Sequence, residues 1–311
     1  MTLRGVIMVL AAAGMFGING AVSKLVLQAG FTAPQLTLLR AAGAFLGLLV
    51  LSAVIRPGVR RLRVTRGELP LLLVYGLSGF FLVPMLYFVA ISRIPVGIAL
   101  LFEYTAPLLV VLWARFGDKQ RVRPRLWGGL ALSLAGLACV AEVWGDLRLN
   151  TVGVVAALVN AVLLAAYYVL GARGVAKRDT LSLTTWAFGA AAVAGLITRA
   201  VTAGAGGWEP IADVKIALLC AYVVVFGSIL PYLLVAGSLR YLPATSVGIL
   251  GMAEPVIAAA FAWVTLGASE ALNAAQLAGG ALVLTGVAIA ETARVRLDAP
   301  EVRETAGVPP G

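Results

Sequence analysis

Ten apolar stretches of about 20 residues, parted by short polar loops, leave this chain few folds to choose from. They lie near residues 4–26, 33–55, 69–91, 95–116, 125–143, 151–171, 181–202, 212–235, 244–266 and 273–292. The hydrocarbon core of a bilayer is about 30 Å thick, which about 20 helical residues span. Inside it every backbone N–H and C=O needs an internal partner, so single runs of this length read as helices. With 61% of residues hydrophobic, against about 45–50% in a soluble domain, the chain reads as an all-α polytopic membrane protein with ten transmembrane helices. The first run is too long for the core of a signal peptide and carries Lys24, so it reads as a retained helix.

The basic residues orient the bundle. With the N-terminus in the cytoplasm, 18 of the 24 Lys and Arg fall on that side, in loops around Arg56–Arg66, Arg115–Arg125 and Arg173–Arg178, at Arg4 and Arg240, and in the tail. Four lie opposite (Arg93, Arg148, Arg199, Lys215), and Lys24 and Arg40 fall within spans. This asymmetry predicts both termini cytoplasmic in the cell inner membrane. It also accounts for the net charge of +10 without invoking nucleic acid.

The chain repeats itself. Phe80 to Pro84, Arg93-Ile94-Pro95 and Ala106-Pro107 recur as Gly227 to Pro231, Arg240-Tyr241-Leu242-Pro243 and Glu254-Pro255, with Gly129 and Gly136 echoed by Gly279 and Gly286. Each unit holds five spans, an odd number, so the second enters the membrane from the opposite side: an inverted repeat, as in many secondary transporters. The predicted units are residues 1–148 and 149–293, followed by a disordered cytoplasmic tail, 294–311.

Particular motifs resemble a known family. Leu39-Arg40-Ala41-Ala42, Glu103-Tyr104-Thr105-Ala106-Pro107, the run from Glu254-Pro255 to Leu266-Gly267, and Gln276 to Gly280 resemble the EamA-type members of the drug/metabolite transporter superfamily. Within it, Ser228 to Tyr232, Leu242-Pro243 and Glu254-Pro255 are most similar to the threonine/homoserine exporter branch. The chain departs from the family at Leu266-Gly267-Ala268-Ser269-Glu270, where two residues part the glycine from the glutamate. The resemblance implies two five-helix halves, with spans five and ten bracing the periphery. It also implies export of small metabolites, amino acids or their relatives first, without a cofactor.

Lys24, Arg40, Glu103 and Glu254 carry formal charges inside spans. Two readings stand side by side. The four pair with one another and lock the bundle, or the basic pair snorkels; alternatively a glutamate lines the pathway and binds an ammonium group or a coupling proton. Glu103, flanked by Phe102 and Tyr104, is the preferred glutamate. Pro84, Pro107, Pro231 and Pro255 break helices at matching positions, freeing carbonyls near the midplane, and are the expected hinges. Asn19 and Asn160 are amides in hydrocarbon and seek partners. Tyr75, Tyr87, Tyr104, Tyr167, Tyr168, Trp186 and Tyr232 supply either an amphipathic wall or interfacial and lipid-facing packing.

Other classes lose support. There is no histidine, so His-ligated metal sites and histidine bases are absent. Cys139 and Cys220 sit in apolar runs as buried thiols. No phosphate-binding loop or dinucleotide fingerprint occurs. The expectation is a secondary transporter working by alternating access, with a small-molecule substrate, the bilayer around it, and proton coupling and a homodimer as options. The alternative is a membrane enzyme acting on a lipid or isoprenoid through Glu103 and Glu254.

Overall fold

The computed structural model describes residues 3–55, 62–144, 150–201, 209–266 and 273–295. Among these, every regular element is helical. The helices are α1 (Leu3–Gln28), α2 (Ala33–Ile55), α3 (Leu69–Tyr75), α4 (Val83–Ile91), α5 (Val96–Glu103), α6 (Ala106–Leu112) and α7 (Pro124–Val140). They continue with α8 (Thr151–Lys177), α9 (Thr180–Val201), α10 (Val214–Val224), α11 (Leu230–Ser238), α12 (Ala244–Gly251), α13 (Glu254–Leu266) and α14 (Ala274–Val295). Joined end to end where they are continuous, they give eight stretches long and apolar enough to cross a membrane, plus the shorter apolar helices Pro124–Val140 and Ala244–Ala260. The tail from residue 296 and the departure at 267–270 lie outside the described residues, as do several of the loop arginines counted above.

The prolines act where chain chemistry requires. Lacking an N–H, proline is tolerated in the first turn of a helix, whose donors have no partner inside that helix. Pro70, Pro84, Pro107, Pro124 and Pro231 occupy such first-turn positions. Pro95 and Pro243 are the N-caps of α5 and α12. Asn150 and Asp213 cap α8 and α10, accepting from Gly153 N at 3.1 Å and Lys215 N at 2.7 Å.

Two kinds of break recur in both halves. A wider π-turn of helix, Gly76–Leu82, runs into Pro84, and another, Val225–Ile229, runs into Pro231. Further along, Tyr104–Thr105 separates α5 from α6, and Met252–Ala253 separates α12 from α13. π-Turns inside helices are uncommon and concentrate at functional sites, because the displaced ladder leaves carbonyls for other partners. Here both displaced ladders serve the opposite half. Gly79 O accepts from Tyr232 Oη at 3.3 Å, and Gly227 O accepts from Arg40 Nη2 at 3.4 Å.

α7 and α14 lie against each other backbone to backbone. A methyl placed on Gly136 would sit 2.6 Å from Gly279 O, and one on Gly129 would sit 2.6 Å from Gly286 O. Ser133 Oγ adds a hydrogen bond to Val283 O at 3.3 Å. Small residues permit such approach where lipid offers no hydrophobic drive between helices. The glycine face from Gly279 to Gly286, which would permit close approach of a second copy, is therefore occupied within the chain.

At the end of the bundle where α3 and α9 begin, Arg178 ties two segments more than 100 residues apart. It pairs with Glu68 at 3.1 Å and donates to Arg63 O at 2.8 Å and Ser182 Oγ at 2.7 Å. Trp186 Nε1 donates to Leu62 O at 2.9 Å, so this tryptophan anchors a loop instead of facing lipid.

Candidate functional site

The helix breaks surround one cavity. α1 contributes Phe16 and Asn19, α2 contributes Arg40, and the first π-turn and α4 contribute Gly79, Val83, Pro84, Tyr87 and Phe88. Glu103 and Tyr104 come from the first gap, α8 gives Leu164, Tyr167 and Tyr168, and the second half closes the wall with Gly227, Tyr232, Val235 and Glu254. Of the expected site residues, Glu103, Glu254, Asn19, Tyr104, Arg40 and Pro84 meet here. Asn160 stands just behind, hydrogen-bonding the Glu103 side chain. Lys24 is half-buried on α1 and does not line the cavity, while Pro107, Pro231 and Pro255 shape its helices from outside the lining.

Glu103 is the last residue of α5 and Glu254 the first of α13, so the two gaps aim both carboxylates inward. Glu254 also occupies a first helical turn, where the dipole favours a carboxylate. Tyr104 Oη donates to Glu254 Oε2 at 2.6 Å, at the short end of the range for an O–H···O bond. Glu103 Oε2 is buried without a hydrogen-bond partner, as are Asn19 Oδ1 and Asn160 Oδ1. Asn160, 1% exposed, presents its amide N–H to the Glu103 carboxylate, which leaves its own oxygen idle.

Arg40 overturns two expectations. It neither snorkels, being 3% exposed, nor pairs with a glutamate. Its Nε donates to Ser228 Oγ at 3.0 Å and its Nη2 to Gly227 O, while the guanidinium lies 5.2 Å over the Tyr232 ring. Among the described residues the ion pairs are Arg173–Asp118 and Arg178–Glu68, so Lys24, Arg40, Glu103 and Glu254 do not lock the bundle pairwise.

Most of the tyrosines form the wall. Tyr75 and Tyr167 stack at 5.4 Å with planes 3° apart, and Phe80 sits 4.6 Å from Tyr232 and 4.7 Å from Phe188. Tyr75, fully buried, backs this wall without reaching the cavity. The sequence reading missed Ser228 and Gly227 as the partners of Arg40. Gly227 carries a second constraint, since a methyl there would fall 1.9 Å from Asn19 Oδ1. Glu291, buried near the end of α14, also went unremarked; it is far along the chain from the cavity residues and does not line the cavity.

Known proteins share this architecture. The model of the EamA-like transporter family matches twice, over residues 3–141 and 151–292. A threonine/homoserine exporter RhtA of Salmonella typhimurium is 31% identical over 246 residues, 79% of this chain and 77% of that protein. The Escherichia coli K12 protein of the same name is 30% identical over 264 residues, 84% of this chain and 83% of its own. An uncharacterized transporter, YdfC of Bacillus subtilis, is 22% identical over 83% of this chain and 81% of its own. A solved crystal structure with 22% identity superposes at a TM-score of 0.76 over 95% of this chain and 99% of that one, and so has the same fold. With both halves matched and apolar helices throughout, the chain belongs to the EamA-like transporter family, and is a multi-pass membrane transporter, not an enzyme.

Proposed function

We propose that this transporter exports free amino acids, or close relatives, across the cell inner membrane by alternating access. Ten spans, arranged as two inverted five-helix halves (residues 1–148 and 149–293) with both termini cytoplasmic, would enclose the pathway. The observation that carries the reading is the cavity bounded by matched helix breaks and lined by Arg40, Glu103 and Glu254. Ionisable side chains inside a membrane protein face pathways or partners, because lipid does not tolerate them. The exporter names of the relatives support an amino-acid substrate. The two π-turn and proline pairs supply the hinges about which the kinked helices rock. A glutamate that holds a proton in one state and releases it in the other would couple flux to the proton gradient.

The reading is tested with purified protein in liposomes and a panel of labelled amino acids, with and without an imposed pH gradient. Saturable flux of one class, accelerated by the gradient, is the expected result. Absence of flux for every amino acid, alongside flux of sugars, nucleosides or drugs, would sink the substrate assignment.

A further inference from the structure

The cavity holds a cation and two carboxylates that do not neutralise one another. Arg40 has five N–H donors and spends two of them on Ser228 Oγ and Gly227 O. Neither acceptor carries a formal charge. A guanidinium buried to 3% exposure without an anion is costly, and the remaining N–H groups are suited to a planar carboxylate. In the same cavity Glu103 Oε2 has no partner, while Glu254 is already engaged by Tyr104. Between the two poles runs a wall of rings. Arg40 sits 5.2 Å over Tyr232, Tyr232 is 5.8 Å from Tyr167, Tyr167 is 5.3 Å from Tyr168, and Tyr168 lines the cavity together with both glutamates.

Building on the transport reading above, we infer that this cavity is a clamp for a dipolar ion: Arg40 receives the α-carboxylate of a free amino acid and Glu103, steadied by Asn160, receives its α-ammonium. Each pole of the ligand supplies the counter-charge its wall lacks. A monoanion or a monocation would satisfy one wall and leave the other charge buried and unmatched, which is the more expensive arrangement. The idle Asn19 Oδ1, packed against Gly227 beside the Arg40 pole, offers an acceptor for a side-chain hydroxyl. Tyr104, by holding Glu254, keeps the second carboxylate from competing with Glu103 for the ligand.

The test is competition against uptake of labelled L-threonine by the wild-type protein in liposomes. The competitors are unlabelled threonine, threonine methyl ester (no carboxylate charge) and N-acetylthreonine (no ammonium charge). Each derivative is expected to compete at least about tenfold less well than threonine. Arg40→Gln should weaken threonine and N-acetylthreonine and spare the ester. Glu103→Gln should weaken threonine and the ester and spare N-acetylthreonine. A purely structural role for either residue would weaken all three alike, and that result would overturn the clamp. The wild-type panel decides even where a variant fails to fold: equal competition by threonine and both derivatives overturns the clamp and leaves amino-acid transport standing. A wild-type protein that takes up no amino acid overturns the transport reading itself, and the clamp with it.

Discussion

Tyr104 and Glu254 lie 150 residues apart and share a 2.6 Å hydrogen bond across the cavity, joining the break in one half to the break in the other. Because each residue sits at a helix gap, the bond reports the relative position of the two halves as well as the state of a carboxylate. Tyr104→Phe removes the donor and keeps the ring. A net hydrogen bond of this kind contributes about 0.5–1.5 kcal/mol, so loss of this one should cut the initial rate of transport about fivefold. Rates measured in liposomes check this, and an unchanged rate would show the bond to be incidental.

The contact between α7 and α14 makes a prediction about stability alone. Gly136→Ala would force a methyl to within 2.6 Å of backbone, with no flexible side chain to yield. Overpacking of this kind costs about 1–3 kcal/mol. Thermal unfolding in detergent should show a lowered Tm, whereas Gly128→Ala, where a methyl meets nothing within 4 Å, serves as the control with little change.

The Glu68–Arg178 tie predicts a pH dependence. The Thr65 backbone N–H and hydroxyl, then the Arg178 and Lys177 charges, hold the Glu68 carboxyl below its ordinary 4.5. The folded protein thus keeps this group ionised at a pH where the unfolded chain has begun to bind a proton. Its stabilisation is complete above the ordinary carboxylate value and disappears as pH falls through the lowered one. Tm profiles of wild type and Glu68→Gln should therefore converge in acid and separate toward neutrality, with wild type the more stable. Parallel profiles would count against the tie.

The proline-terminated π-turns predict a split between binding and turnover. Pro84→Ala and Pro231→Ala let an α-helical ladder close through the break, stiffening the hinge while leaving the charged walls in place. Affinity for the transported substrate should stay within about twofold and turnover should fall several-fold. Equal losses in both would show that these prolines act on binding and not on a hinge.

Much of this was legible in the sequence because apolar runs and prolines act locally. Pro107 and Pro255 announce the gaps at 104–105 and 252–253, since the missing N–H and the ring clash act within four residues. The glycines of α7 and α14 showed up as an echo, Gly129 with Gly279 and Gly136 with Gly286, and in the structure they touch crosswise, Gly129 against Gly286 and Gly136 against Gly279. The partners of Arg40 were hidden, because one is a carbonyl, present at every position, and it becomes available only through a π-turn that hydrophobic periodicity does not reveal. Counting charges likewise suggested that two cations and two anions would cancel. Lys24 and Arg40, however, stand on different helices from both glutamates, and only packing determines which walls face each other. The tyrosines pose the same problem: an aromatic in a span has one composition whether it faces lipid or cavity.

We propose that the cavity between the broken helices is the transport site. The decisive measurement places a single thiol in the cavity wall, as Val83→Cys in a chain carrying Cys139→Ala and Cys220→Ala, and follows modification by a polar thiol reagent during uptake of labelled threonine or whichever amino acid the liposome panel identifies. The account predicts that modification abolishes uptake and that the amino acid slows the modification in proportion to its occupancy of the carrier. Continued uptake by the fully modified protein, with labelling indifferent to the amino acid, would contradict it.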